Sequence, residues 1–393
     1  MFIPGRIEVL GKHTDYCGGR SIVCAIDRGF HSEIEEHSEP ALVLENLDVS
    51  ERITIALNDP ANLPGHWGNY AVETVRRLAS NFPDRLKAGV KIRFHSGLPK
   101  AAGLSSSSAL MIMVFGAIDL VNDLRGSSRY QDNIHSDLDL AEYLGCIENG
   151  QSFRELAGSA GVGTFGGSQD HAAILLGKAD HLSAFSFSPL RNDADFSFPN
   201  THSFVIAASG VAAEKTGAAR DSYNRVSRMV SEITGTFGKG LTLAQMFEEF
   251  GVDDVLLKIR RMRSKFMTSE LLDRVEQFRI ENFEIIPAVS EMLTNGRIVD
   301  IGDPIDLSQE NAERFLGNQI AETAFLQRSA REIGAVAASA FGAGFGGSVY
   351  SVVPRSDADG FTVEWQRVYR NRFPQHAETS EFFTTRPSQS DLR

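Results

Sequence analysis

Three short stretches carry the side chains of this sequence that could do chemistry. The first, PGRIEVLGKHTDYCGG at residues 4–19, crowds Arg6, Lys12, His13, Asp15 and Tyr16 between glycines. Such a density of donors and acceptors suits a polyhydroxylated ligand; a solvated loop is the other reading, because charged loop residues usually face water. The second, KAAGLSSSSAL at 100–110, sets Gly103 and Leu104 ahead of Ser105, Ser106, Ser107 and Ser108 and an apolar run. Small residues let a backbone approach a phosphate. The free N–H groups of a first helical turn then point at it, and the helix dipole favours its charge. A serine-rich helix cap is the alternative. The third, GAGFGG at 342–347, matches G-x-G-x-x-G. A dinucleotide site needs a strand before that motif and a helix after it. Here a helix is expected before it and a strand, Ser348–Val353, after it. The dinucleotide reading is therefore excluded. A tight turn is left, either structural or beside a ligand.

The elements that must hold these stretches follow from periodicity. Arg6–Leu10, Ser21–Ile34, Arg52–Leu57, Val90–His95 and His202–Ala208 read as strands. Asn69–Phe82 has apolar residues at helical spacing. The serine run opens an apolar helix to about Leu124, and a further helix covers about Asp137–Glu148. Asn149–Gln169 is glycine-rich and reads as a loop, helices dominate from Ala212 to about Gly334, and the tail after Phe373 reads as polar and frayed. Strands and helices come in blocks rather than regular alternation, so the fold class is α+β.

With 393 residues the chain exceeds one ordinary core, and two domains are expected, 1–190 and 191–393. The polar, turn-rich segment LRNDADFSFPN marks the break. The net charge of −12 argues against a nucleic-acid binder. The longest apolar run, Ala109–Ile118, falls short of the roughly 20 residues of a membrane span. Cys17, Cys24 and Cys146 are too few and too far apart for a disulfide framework or a zinc site, so a reducing, cytoplasmic setting is expected.

Taken in chain order, the three stretches resemble the three motifs of the GHMP kinases. The first is similar to the galactokinase form, close to PGRVNLIGEHTDYNGG, and the second to GGGLSSSASL. Between them HWGNY at 66–70, GGSQDHAAILLG at 166–177 and RDSYNRV at 220–226 also resemble galactokinase segments, so the likeness runs from residue 2 to about 353. The resemblance implies a two-lobed fold, with an N-terminal lobe like ribosomal protein S5 and a ferredoxin-like C-terminal lobe. It implies an ATP- and Mg²⁺-dependent kinase acting on the anomeric hydroxyl of galactose or a related sugar. A monomer or weak homodimer is expected, with sugar and MgATP as its partners.

By resemblance Asp170 is the catalytic aspartate, accepting the hydroxyl proton or only orienting the hydroxyl, and Arg6 is its partner. Lys12, His13, Asp15, Gly167 and Tyr223 fall at sugar-contacting positions. Gly103, Leu104 and Ser105 to Ser108 form the phosphate loop, Trp67 lines the adenine pocket or packs in the core, and Ser107 and Glu148 ligate Mg²⁺. Two residues depart from the motif: Lys12 replaces an acid and Glu8 replaces an asparagine. Lysine has three donors and no acceptor, which suggests a sugar bearing a carboxylate, such as a uronic acid, or one lacking the usual primary hydroxyl, such as a pentose. Alternatively Lys12 pairs with Glu8 and never reaches the ligand. A catalytically silent sugar- and ATP-binding regulator is the other class of function; an intact phosphate loop and Asp170 argue against it.

Overall fold

A computed structural model of the chain describes residues 1–213, 217–238 and 240–392, with the side chains of 217–220 outside the description. Arg220 of the RDSYNRV segment is among those side chains. Seven strands form the first sheet: β1 (Phe2–Leu10), β2 (Arg20–His37), β3 (Ala41–Asn46), β4 (Glu51–Ala56), β5 (Gly89–Ser96), β6 (His181–Ser186) and β7 (Arg191–Ser197). Their order is β4-β3-β5-β2-β6-β7, with β1 also paired to β2. Only β3 and β5 run parallel; the other pairs are antiparallel. The second sheet is antiparallel, with β8 (His202–Ala208), β9 (Ala337–Phe341), β10 (Ser348–Pro354) and β11 (Glu381–Thr385) in the order β11-β8-β10-β9.

The helices of the first half are α1 (Asn69–Asn81), α2 (Ser106–Asn122), α3 (Ser128–Gln131), α4 (Asp137–Asn149) and α5 (Gln169–Leu176). Those of the second half are α6 (Gly217–Gly235), α7 (Leu243–Phe250), α8 (Val252–Arg261), α9 (Thr268–Ile280), α10 (Ile286–Thr294), α11 (Gly302–Asn311), α12 (Ala321–Ile333) and α13 (Ala358–Arg372).

Burial explains why these segments take these forms. Residues 109–118 of α2 are buried on every side, so that helix is the axis of the first lobe and reads as an unbroken apolar run. Each fully buried Leu, Ile or Phe in such a place contributes about 1.5–3 kcal/mol. The first third of β2 is covered on both faces, and its end alternates with the exposed His31 and Glu33. A second core lies between the two sheets. Ile7, Val9, Ile22, Cys24 and Ile26 meet Phe204, Ile206, Tyr350 and Val352 there, and the Tyr350 hydroxyl donates to the Val9 carbonyl at 2.8 Å. The far face of the second sheet packs on α12 and α13 around Trp365 and Tyr369.

Four sequence expectations change. A strand, β9, rather than a helix, leads into the glycines at 342–347. A strand still follows them, so the dinucleotide reading still fails on context. The segment read as a domain break carries β7, which keeps residues 191–197 in the first sheet. The tail does not fray: Glu381–Thr385 pairs with β8 as β11. Finally β3 and β6 are strands that the sequence reading lacked. These are short, and pairing with neighbours decides them more than local pattern does.

Candidate active site

The site lies on the seam between the two sheets, where β1 runs alongside the start of α2 and the turn between β9 and β10. Alternation places Arg6 and Glu8 on one face of β1, with Ile7 and Val9 on the other, in the inter-sheet core. The β1–β2 register shifts between Pro4 and Arg6 and again between Glu8 and Leu10, bulges that re-aim the two charged side chains.

Arg6 joins three of the segments. Its Nε donates to Oδ1 of Asp170 at 2.7 Å, its Nη1 donates to the Gly103 carbonyl at 2.6 Å, and its backbone N–H donates to the Leu104 carbonyl at 3.2 Å. Asp170 stands in the first turn of α5, after the N-cap Ser168. The arginine and aspartate side chains are only 5% and 15% exposed, so their pairing is little screened by water.

The serine run opens α2, and its N-cap, Ser105, has φ 58° and makes no side-chain cap bond. The bland reading of a serine-capped helix is thus not what is built. Gly103 also has a positive φ, 75°, so the loop turns sharply before the helix and leaves the first-turn N–H groups at a free helix end. The glycine turn closes over this loop. A Cβ on Gly342 would lie 3.0 Å from the Gly103 carbonyl oxygen, and the Ser348 hydroxyl donates to the Ala102 carbonyl at 2.6 Å. Leu104 is a core residue, 2% exposed.

A pocket opens beside these contacts, lined among others by Arg6, His13, Asp15, Gly167, Asp170 and Tyr223. Five of the predicted sugar and catalytic residues besides Arg6 therefore meet there, from three separate segments. The Gly167 N–H donates to Oδ2 of Asp15 at 2.9 Å. A Cβ on Gly167 would sit 2.6 Å from that oxygen, and one on Gly166 would sit 2.7 Å from the Tyr223 hydroxyl, so a side chain at either position would push a pocket group aside. His13 has φ 57°; its Nδ1 bonds the Tyr16 hydroxyl at 2.8 Å and its Nε2 the Ala343 carbonyl at 3.1 Å. Arg274 of α9 holds that strained loop by donating to the His13 carbonyl at 2.6 Å. Burial pushes the Asp15 carboxyl above its ordinary value and holds the Tyr223 phenol protonated.

Lys12 is the clear correction. Its Nζ, in a side chain that is 1% exposed, donates to Ser308 at 2.9 Å and Ser339 at 2.8 Å, beneath the loop rather than in the pocket. Trp67 is half-buried outside the pocket, its Nε1 donating to Glu51 at 2.7 Å and its ring edge-on to Phe94. Glu148 reaches the pocket, and the serine that donates to it, at 3.0 Å, is Ser108, the next residue after Ser107. Thr164 donates to its other oxygen at 3.4 Å. This is an oxygen-only set, the kind Mg²⁺ takes when phosphates and water complete its shell. Among the described residues no three His, Cys, Asp or Glu side chains gather as a metal cage. Sequence reasoning passed over Gln169 and the Ala343 carbonyl, which also line or border the pocket. Adjacency to Asp170 was a usable signal for the first; a backbone carbonyl leaves none.

Comparison with known proteins agrees with this geometry. The GHMP kinases N terminal domain matches residues 69–178, the galactokinase galactose-binding signature 2–33 and the GHMP kinases C terminal domain 285–371. The galactokinase of Fusobacterium nucleatum is 23% identical over 380 residues, covering 95% of this chain and 90% of that protein. That of Thermococcus kodakarensis is 24% identical, covering 99% and 98%. The crystal structure of Lactococcus lactis galactokinase complexed with galactose superposes with a TM-score of 0.79 at 19% identity, over 99% of this chain and 93% of that one. A mevalonate kinase from Methanococcus jannaschii gives 0.60 at 17% identity, over 99% and 98%. With the first and third motifs lining one pocket, the second bonded to its Arg6, and these matches spread along its length, the chain belongs to the GHMP kinases, in the galactokinase family.

Proposed function

We propose that this protein transfers the terminal phosphoryl group of ATP to the anomeric hydroxyl of galactose or a closely related neutral sugar. The observation that carries the reading is the Arg6–Asp170 pair, 2.7 Å long, set in the pocket between the free N-terminus of α2 and the His13–Asp15 loop. Phosphoryl transfer needs positioning and charge stabilisation more than covalent chemistry. Asp170 accepts or orients the attacking hydroxyl. Arg6 holds Asp170 in place and offsets charge on the group in transit. The first turn of α2 receives the nucleotide phosphates through its N–H groups and dipole. Glu148 with Ser107 and Ser108 would hold Mg²⁺, which would supply positive charge to offset that of the phosphates.

His13, Asp15, Gly167 and Tyr223 are the sugar contacts of this reading. The pocket wall includes Asp15, Glu148 and Asp170, and the Lys12 ammonium faces Ser308 and Ser339. Such an acceptor-rich wall favours a neutral polyol over a uronic acid, whose carboxylate would meet like charge. The test is ATP consumption over a panel of hexoses, pentoses and uronic acids, with sugar 1-phosphate identified by phosphorus NMR. Asp170→Asn is expected to lower turnover at least roughly 10²-fold with the fold intact. Turnover of galacturonate but not galactose would overturn the choice of sugar, and wild-type turnover in Asp170→Asn would remove the aspartate from the mechanism.

A further inference from the structure

Two buried oxygens at the pocket floor, Oε1 of Glu8 and Oε1 of Gln169, receive no hydrogen bond from the described residues. They belong to side chains that already touch, since Gln169 Nε2 donates to Glu8 Oε2 at 2.5 Å. Each residue is 4% exposed, so water does not readily serve the orphans. Leaving a buried acceptor unpaired forfeits the hydrogen bonds that water gave it in the unfolded chain. An ionised carboxylate can only accept and so can do nothing for the amide oxygen. A carboxylic acid can do more. Its O–H donates to the amide carbonyl while the amide N–H donates to the acid carbonyl, and two bonds close a ring. One proton on Glu8 Oε1 thus settles both orphans at once.

We propose that Glu8 is a positioning residue held in its protonated form, closing a two-bond ring with Gln169 that ties β1 to the first turn of α5 and so sets Asp170 against Arg6. Its effect on turnover rests on the kinase reading; the protonation itself does not. Burial supports it by pushing the Glu8 carboxyl up to about 7, against the pull of Arg6, Lys12 and the Gln169 bond. The ionisable groups facing Glu8 are Arg6 and Lys12 from β1 and the loop after it, Asp170 from α5 and Tyr350 from β10. Tyr350 is itself held protonated by burial and adds no charge. Ionising Glu8 would break the ring and set a second carboxylate beside Asp170, in competition for Arg6. The neutral acid also matches in charge the asparagine of the motif that this segment resembles.

The decisive measurement is a carboxyl ¹³C NMR titration of the intact protein, the Glu8 signal being assigned by its loss in Glu8→Gln. A midpoint near 7 is expected, and one near the ordinary 4.5 would overturn the proposal. A folded acid that keeps its proton to higher pH than the unfolded chain is a liability between the two values. The wild type should therefore lose stability relative to Glu8→Gln as pH rises from about 4.5 to about 7, with no further loss above. In turnover, wild-type kcat should fall as pH passes about 7. Glu8→Ala should lower kcat by up to about 10²-fold, the effect of an ångström of misplacement, with a smaller change in KM. Glu8→Gln, which keeps an uncharged partner for Gln169, should rescue Glu8→Ala and lack the fall above pH 7. Coincident pH profiles for wild type and Glu8→Gln would sink the positioning role. Absence of any sugar turnover would instead sink the kinase reading and leave the titration to decide on the proton.

Discussion

At the scale of single residues, Lys12 and His13 are neighbours in sequence and separate in function. His13 lines the pocket, while the Lys12 ammonium turns under the loop to Ser308 and Ser339. Its motif position predicts a sugar contact; its environment makes it a buried polar strut between β1, α11 and β9. Restoring the acid of the motif, Lys12→Glu, should therefore damage the fold more than it retunes specificity. Ser308 already donates to Glu281 at 3.0 Å, so the new carboxylate would be buried beside an existing one. An uncompensated buried charge costs about 3–5 kcal/mol, and thermal denaturation should show a loss of that order. A stable Lys12→Glu protein with improved galactose kcat/KM would return Lys12 to the sugar site. The difference between the two readings lies in side-chain direction, which a motif does not encode.

Among the elements, the turn between β9 and β10 and the loop before α2 act as one unit. Gly342 has φ 81°, and a Cβ there would also press on the Gly103 carbonyl, the acceptor of Arg6 Nη1. Gly342→Ala should cost about 1–3 kcal/mol through the left-handed backbone, and it should shift the loop whose Gly103 carbonyl holds Arg6. Steady-state kinetics are expected to show a rise in KM for ATP together with a fall in kcat. Unaltered kinetics in a less stable protein would mean that the turn is structural only. The sequence makes the glycines visible and says nothing of what they lean against. It expects a helix before the glycines and misses the strand AASAF, because five small and aromatic residues have no clear period and become a strand only by pairing with β10.

Over the whole molecule, the C-terminal segment ties both sheets together. β11 pairs along β8, the Phe382 ring packs edge-on against Trp365, and Ile26 of β2 forms a bridge with Pro387. Asp391 accepts the Phe2 N–H at 2.7 Å, which fixes the start of β1, the strand that carries Arg6 and Glu8. Removing residues 374–393 should therefore lower the melting temperature and reduce activity together, although none of the described ones lines the active pocket. A truncated protein with wild-type melting and turnover would show that the tail is dispensable.

The chemistry of the site was readable in sequence because its motifs are local. A glycine that permits close approach, a serine run at a helix start and a cluster of hydroxyl-binding side chains each need only a few neighbouring residues. The α+β class and the long buried helix were readable for the same reason, since periodicity is a local property. The partners were not. Arg6 and Asp170 stand 164 residues apart, and Lys12 and Ser339 stand 327 apart. No spacing rule links such positions. They meet because two sheets bury a common apolar core and so fix which backbones lie side by side. That packing, rather than the local pattern, decided which polar side chains face the pocket and which are sealed away from it.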